Sequence, residues 1–244
     1  MKHKDLNKKR FSRAAVFFII CVVSLLLTGW GLSPNSTKAN NLRVTNQTTA
    51  FHVENAEIIG DRLNLSLRNV SEKTINGFRL TFNRTLLQTD FSLGRFSIAP
   101  GQIEERSYPC DPDELSQELE IEVVVFTDRS FDGSITAANA ILDRRDGMRT
   151  QLQAVQKLLD SALETSDDQF PATVGQLASQ LASLPEEGGP GAKGRALRFG
   201  LRDAKADVKN MLRSVIEEPD HRNLDLRQRL ADLRSEVIER LNRL

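Results

Sequence analysis

The chain has 244 residues, with 33 Lys and Arg against 33 Asp and Glu, two Cys and a single Trp. A neutral chain lacks the concentrated basic footprint of a nucleic-acid binder, and two cysteines exclude a disulfide-stapled scaffold. The length allows a targeting segment followed by one or two domains.

Residues 1–13 form a basic flank, with Lys2, Lys4, Lys8, Lys9, Arg10 and Arg13 against Asp5 alone. Residues 14–32 follow as an uncharged apolar run, AAVFFIICVVSLLLTGWGL, that includes Ala14, Phe17, Phe18, Leu26 and Trp30. Nineteen residues approach the ~20 that cross a hydrocarbon core as a helix. The cationic flank holds the N-terminus in the cytoplasm, and an indole sits well at a membrane interface. Two readings stay open: an uncleaved anchor, favoured by Trp30, or an export signal cut after Thr37-Lys38-Ala39. Either puts the remainder outside the cytoplasm, on a cell membrane or secreted from it. Without the flank's six cations and one anion, 27 basic residues face 32 acidic ones. Cys21 lies within the run, so Cys110 has no partner for an internal disulfide.

Residues 33–45 are polar and read as a linker, and 46–133 as an all-β module. Leu63, Leu65 and Leu67 alternate with polar residues, which buries one face of a strand and wets the other. Asn69 to Lys73 is a turn. Ile75, Phe78, Leu80 and Phe82 give the next strand, with Gly77 as its bulge. Phe91, Leu93, Phe96 and Ile98 predict further short strands, and Ala99-Pro100-Gly101 a turn. Leu119, Ile121, Val123 and Val125 make the strongest strand, closing at Phe126 before an exit loop over 128–133. Short strands about ten residues apart predict an antiparallel β-sandwich.

Leu67-Arg68-Asn69-Val70-Ser71-Glu72-Lys73-Thr74-Ile75, with Ile98-Ala99-Pro100-Gly101-Gln102 after it, resembles immunoglobulin-like and fibronectin type III-like domains of bacterial exported proteins. In those a strand ends in x-N-x-S and a later one opens after x-P-G-x. Val124 to Gly133 is similar to their last strand. The resemblance covers a third of the chain, implies a fold and no activity, and lacks the buried Trp and paired Cys of antibody domains.

Residues 134–244 read as helical, over about 134–165, 171–184, 195–218 and 224–244. Ile141, Met148, Val155 and Ala162 mark the first stripe; Val174, Leu177, Leu181 and Leu184 the second; Leu197, Leu201, Ala204, Val208, Met211 and Val215 the third. Residues 185–194, PEEGGPGAKG, read as a flexible joint. In the last helix Leu226, Leu230, Leu233, Val237 and Leu241 have the three- and four-residue spacing of a coiled-coil-like seam. A short link predicts that the last two helices fold back as a hairpin. That seam needs a covering surface: the other helices, the β module, a second copy or another protein.

No catalytic constellation stands out. Gly189 to Gly194 lacks the phosphate-loop order and a strand before it. Asp111, Asp113, Glu114, Asp128 and Asp132 are acidic but lack an ordered calcium loop. The three His have no metal-ligand spacing. The pairs Glu104-Glu105 and Glu186-Glu187 read as exposed. Five N-x-[ST] triplets, at Asn35, Asn46, Asn64, Asn69 and Asn83, read as polar turns and strand faces in a bacterial chain. The expectation is a non-enzymatic, membrane-anchored extracytoplasmic protein that uses no cofactor. It would reach the membrane through the N-terminal helix, and a protein partner or a second copy through the C-terminal helices. The alternative is a module binding a peptide or glycan through its β loops.

Overall fold

The computed structural model describes residues 42–92, 94, 96–111, 117–217 and 225–244. The apolar run with Ala14, Phe17, Phe18, Leu26 and Trp30 lies outside them, as do Leu93, Asp113, Glu114 and His221. Among the described residues no helix is long and apolar enough to cross a membrane.

Among the described residues eight strands come first: β1 Leu42–Asn46, β2 Phe51–Ile59, β3 Arg62–Asn69, β4 Ile75–Phe82, β5 Thr85–Asp90, β6 Ile103–Pro109, β7 Gln117–Phe126 and β8 Phe131–Gly133. Four helices follow: α1 Ile135–Leu163, α2 Phe170–Ser183, α3 Gly191–Glu217 and α4 Leu226–Arg243. One sheet runs β1-β7-β4-β5, with β8 also on β7; the other runs β2-β3-β6. Every pairing is antiparallel except β1 with β7, which is parallel. The supposed linker thus gives its last residues to β1.

The two sheets share one apolar core. Leu63, Leu65 and Leu67 of β3 meet Phe78 and Leu80 of β4 and Leu119 and Ile121 of β7. The alternation in β3 is the signal that placed these leucines inside. At the end of β3, Asn69 is fully buried, and its amide donates to the carbonyls of Lys73 and Ile98 and accepts from Ser71. Gly101, at φ 78°, donates its N–H to the carbonyl of Asn69. The N-x-S and P-G turns therefore lock onto each other.

Two strands depart from the sequence expectation. β5 is TLLQTD, upstream of the predicted apolar strands; of those residues Ile98 bridges to Ile75 and Phe91 donates its N–H to the Asn76 carbonyl. A two-residue turn with positive φ at Asn83 and Arg84 joins β4 to β5, the hairpin geometry that matches strand twist. In β7 the register slips so that Arg79 faces Val123 while Leu80 faces Ile121. Glu122 is the extra residue, a bulge that reverses the phase of the strand. Val124 and Phe126 stay in the shared core, whereas Val123 and Val125 turn to the opposite face and pack on Ala137, Ala138 and Ile141 of α1.

The helices make a second core. Met148, Leu152, Val155 and Leu159 of α1 are its spine, against Val174 and Leu177 of α2, Val208 and Leu212 of α3 and Leu233 and Val237 of α4. α1 touches all three other helices. Residues 191–194, placed by sequence in a flexible joint, form the first turn of α3; Gly188 and Gly194 pass backbone to backbone, where a Cβ on either would lie 2.0 Å from a carbonyl oxygen. α1 and α3 also cross without side chains between them: a Cβ on Gly200 would lie 1.9 Å from the Arg144 carbonyl, and one on Gly147 2.2 Å from that of Leu197. Burial in α3 consequently follows Gly194, Gly200, Leu201, Ala204, Val208 and Leu212, and Leu197 and Met211 are only half-buried.

One substitution made at two helical glycines should act in opposite directions. Gly175 has nothing within 4 Å of a Cβ, so Gly175→Ala should stabilise by about 1 kcal/mol through helix propensity. Gly200→Ala should destabilise by about 1–3 kcal/mol through overpacking. Urea midpoints of the two variants check both signs.

Candidate functional site

Ser134 caps α1, its side chain accepting from the Ala137 N–H, and its own N–H donates to the Glu122 carbonyl. Gly133, at φ 109°, allows this immediate exit from β8, since a Cβ there would lie 2.3 Å from the Glu122 oxygen. The cap and bulge together aim α1 across the sheet. Its third turn then delivers Arg145, with an exposure of 0%, onto β4 and β5.

Arg145 Nε lies 3.2 Å from both carboxylate oxygens of Asp90, and Nη2 lies 3.0 Å from Asp90 Oδ1 and 3.1 Å from the Asn76 carbonyl. Asn76 is the extra residue of a second bulge, in β4, where Ile75 faces Phe126 and Gly77 faces Val125. Gly77 is essential here: a Cβ would sit 2.6 Å from Arg145 Nη2. The expected bulge at Gly77 is thus a seat for a buried cation. Asp90 also accepts from the Ser92 N–H, which fixes the carboxylate. A second strut stands nearby. Arg129, at φ 68°, donates to Asp146 of α1 and to the Leu244 carbonyl.

Beside this joint is a cavity of about 310 Å³. Asn76, Phe91, Ser92, Phe96 and Thr127 of the β module line it, with Arg243 of α4. Asn76 Oδ1 and Ser92 Oγ are buried and meet no hydrogen-bond partner, as does Arg145 Nη1. Buried polar atoms are almost always satisfied by protein, water or ligand, and among the described residues these atoms have no protein partner.

The other candidates are dispersed. Leu230, Leu233 and Val237 are buried and Leu226 and Leu241 half-buried against the helical core. The seam read as an interaction face is covered by the chain's own α1 and α3. Arg229 reaches the Ser214 carbonyl and Arg240 pairs with Asp207, so α4 runs antiparallel to α3. Its leucines close a core shared by all the helices. The carboxylates serve as loop ties. Asp132 accepts from Thr49 and the Ala50 N–H, and Asp128 from Lys73 and Ser130. No cluster of three potential metal ligands occurs among the described residues. Glu104, expected on the surface, is buried in β6 beside Arg106.

Removing one partner of the buried pair should cost about 3–5 kcal/mol. Arg145→Met and Asp90→Leu should each unfold the chain at lower denaturant, while the double variant recovers most of the loss; a double-mutant cycle measures the coupling. The carboxylates titrate in opposite directions. Hydrogen bonds from Lys73 and then Ser130 hold Asp128 at about 2, so its contribution is present above the ordinary carboxylate range and is lost as pH falls toward that value. Burial raises Glu104 against the pull of Arg106, so its contribution is fullest at low pH and declines as pH rises through the elevated value. Carboxyl carbon NMR should show both, with Lys73→Met moving Asp128 up and Arg106→Met moving Glu104 further up. Compared with known proteins, the chain matches no family model, no curated protein and no solved structure.

Proposed function

We propose that this is a non-enzymatic, membrane-anchored protein of the bacterial cell envelope. Its immunoglobulin-like β-sandwich and helical bundle stand outside the cytoplasm and make contacts with another protein. One observation carries the reading: the uncharged run Ala14 to Leu32 directly behind a basic flank, the pattern that inserts with its N-terminus in the cytoplasm. The two sheets around one core support the sandwich. Since the α4 seam is covered, the contact surface is assigned to the outer edge of β5. Natural sheets protect edges with charge, proline or bulges. β2 has Glu54, Glu57 and a bulge, and β6 has Glu105, Arg106 and Pro109. β5 carries only Asp90, which is turned to Arg145, and its Leu86 is 49% exposed. Such an edge accepts an added strand.

A second reading rests on the cleft beside the joint, with its unsatisfied Asn76 Oδ1 and Ser92 Oγ. In it the chain binds a small polar ligand between the segment after β5 and the end of α4.

Membranes washed with alkaline carbonate should retain the protein, and its mature N-terminus should precede Ala14; a start at Asn40 defeats the anchor. A photo-crosslinking residue at Leu86 should give a discrete adduct in intact cells that the same residue at Asn55 does not. Equal labelling at both positions removes the β5 edge as the contact.

A further inference from the structure

The neutral charge of the chain conceals one strongly polarised element. α3 has 27 residues, about 40 Å at 1.5 Å each. At about 100° per residue, Arg195, Arg198, Phe199, Arg202, Ala206, Lys209, Asn210, Arg213, Ile216 and Glu217 fall within one arc of about 120°, and every one of them is exposed. That face carries five cations and one anion. The helix's two aspartates lie off it, drawn to neighbours: Asp203 pairs with Arg144 and Asp207 with Arg240. Arg202 pairs with Glu186. The side chains of Arg195, Arg198, Lys209 and Arg213 make no hydrogen bond or ion pair among the described residues.

The contrast with α4 shows that this is not a general surplus of arginine. There Arg227 bonds the Leu163 and Thr165 carbonyls, Arg234 holds Asp160, and Arg240 and Arg243 hold Glu236. Among the cations of α3 stand two large apolar side chains with no core to fill, Phe199 at 57% and Ile216 at 42% exposure. A face with aligned cations and interleaved apolar residues matches an anionic lipid surface: the cations meet phosphates and the apolar groups enter the headgroup boundary. A second copy is disfavoured, because a self-complementary interface would bring five cations against five.

We propose that this face of α3 lies on the anionic headgroups of the bilayer that holds the N-terminal run, and so sets the orientation of the folded part. The inference rests on the anchor reading. Only nine residues separate Leu32 from the first residue of β1, Leu42, a span of at most about 36 Å, so the anchored body stays within reach of that surface.

The test uses the full chain carrying Trp30→Phe and Phe199→Trp, which leaves one indole, on the α3 face. It is mixed with vesicles of phosphatidylcholine alone and with vesicles that also contain phosphatidylglycerol. Flotation with the neutral vesicles reports the anchor by itself. The emission of the indole introduced by Phe199→Trp reports the face. It should shift to the blue and be quenched by brominated lipid in the anionic vesicles only, and revert in high salt. Each cation near an anionic surface contributes roughly fivefold to partitioning. Arg195→Glu, Arg198→Glu and Arg213→Glu together should therefore abolish the shift while circular dichroism stays unchanged. Unshifted emission in both lipids overturns the proposal, whether or not the chain floats. A shift with anionic lipid and no flotation with neutral lipid keeps the face and removes the anchor. A shift produced by duplex DNA or polyglutamate and not by anionic vesicles also overturns it, assigning the face to a different polyanion.

Discussion

A guanidinium with no solvent exposure joins the two halves of this chain. Taking Arg145 and Asp90 out of water costs several kcal/mol per ion, and the pair is tolerable only where geometry and hydrogen bonds compensate. Each compensating feature comes from a local irregularity. The β4 bulge turns the Asn76 carbonyl to the cation, and Gly77 leaves out the side chain that would collide with it. The end of β5 supplies Asp90. α1 therefore docks on the β module in one register, and α1 is also the spine of the helical core. The Gly147–Gly200 crossing depends on that placement, since α3 approaches α1 within two or three residues of Arg145.

Charge follows the same architecture. From Ile135 onward the acidic and basic residues are equal in number, yet they are not mixed evenly in space. Arg227 and Arg234 of α4 bond carboxylates and carbonyls of α1 and of its connection to α2, and Arg227 also covers the Phe170 ring. These are half-buried positions, where a guanidinium lays its stem on apolar surface and keeps its fork on acceptors. On the outer face of α3 only Arg202, with Glu186, has such an acceptor among the described residues. A residue count or an isoelectric point averages the two helices and loses the difference.

What was legible in the sequence was whatever periodicity encodes. The leucines of β3 and the seam of α4 are buried as their spacing requires, and the element order of strands followed by helices stands. What periodicity cannot encode was misread. β5 is an edge strand with few apolar residues, so Phe91 to Ile98 outweighed it. Glu122 reverses the phase of β7, and no single-strand pattern reveals that an unpaired residue has moved Val123 and Val125 to another face. Gly147 and Gly200 register in a sequence only as weak helix formers, because their role is the proximity of another backbone. Nothing in the helical spacing of α1 singles out Arg145; its burial follows from a bulge and a glycine about seventy residues earlier.

The seam of α4 is turned into the helical core. An amphipathic helix at the end of a chain invites the reading of a free hook, but every leucine of that hook packs against this chain's own helices. The surfaces proposed for partners are then the β5 edge and the outer face of α3, and the Arg145 joint stands between them. β5 carries Asp90, and α3 crosses α1 at Gly147, two residues from Arg145. A joint made of a buried ion pair and a backbone-tight helix crossing transmits position poorly if either half loosens, and well if both stay packed. The buried ion pair and the backbone-tight crossing thus lie side by side on α1, where the β module and the helical core are joined. That placement gives a physical reason for keeping a buried charge at a site where a hydrophobic pair would be simpler.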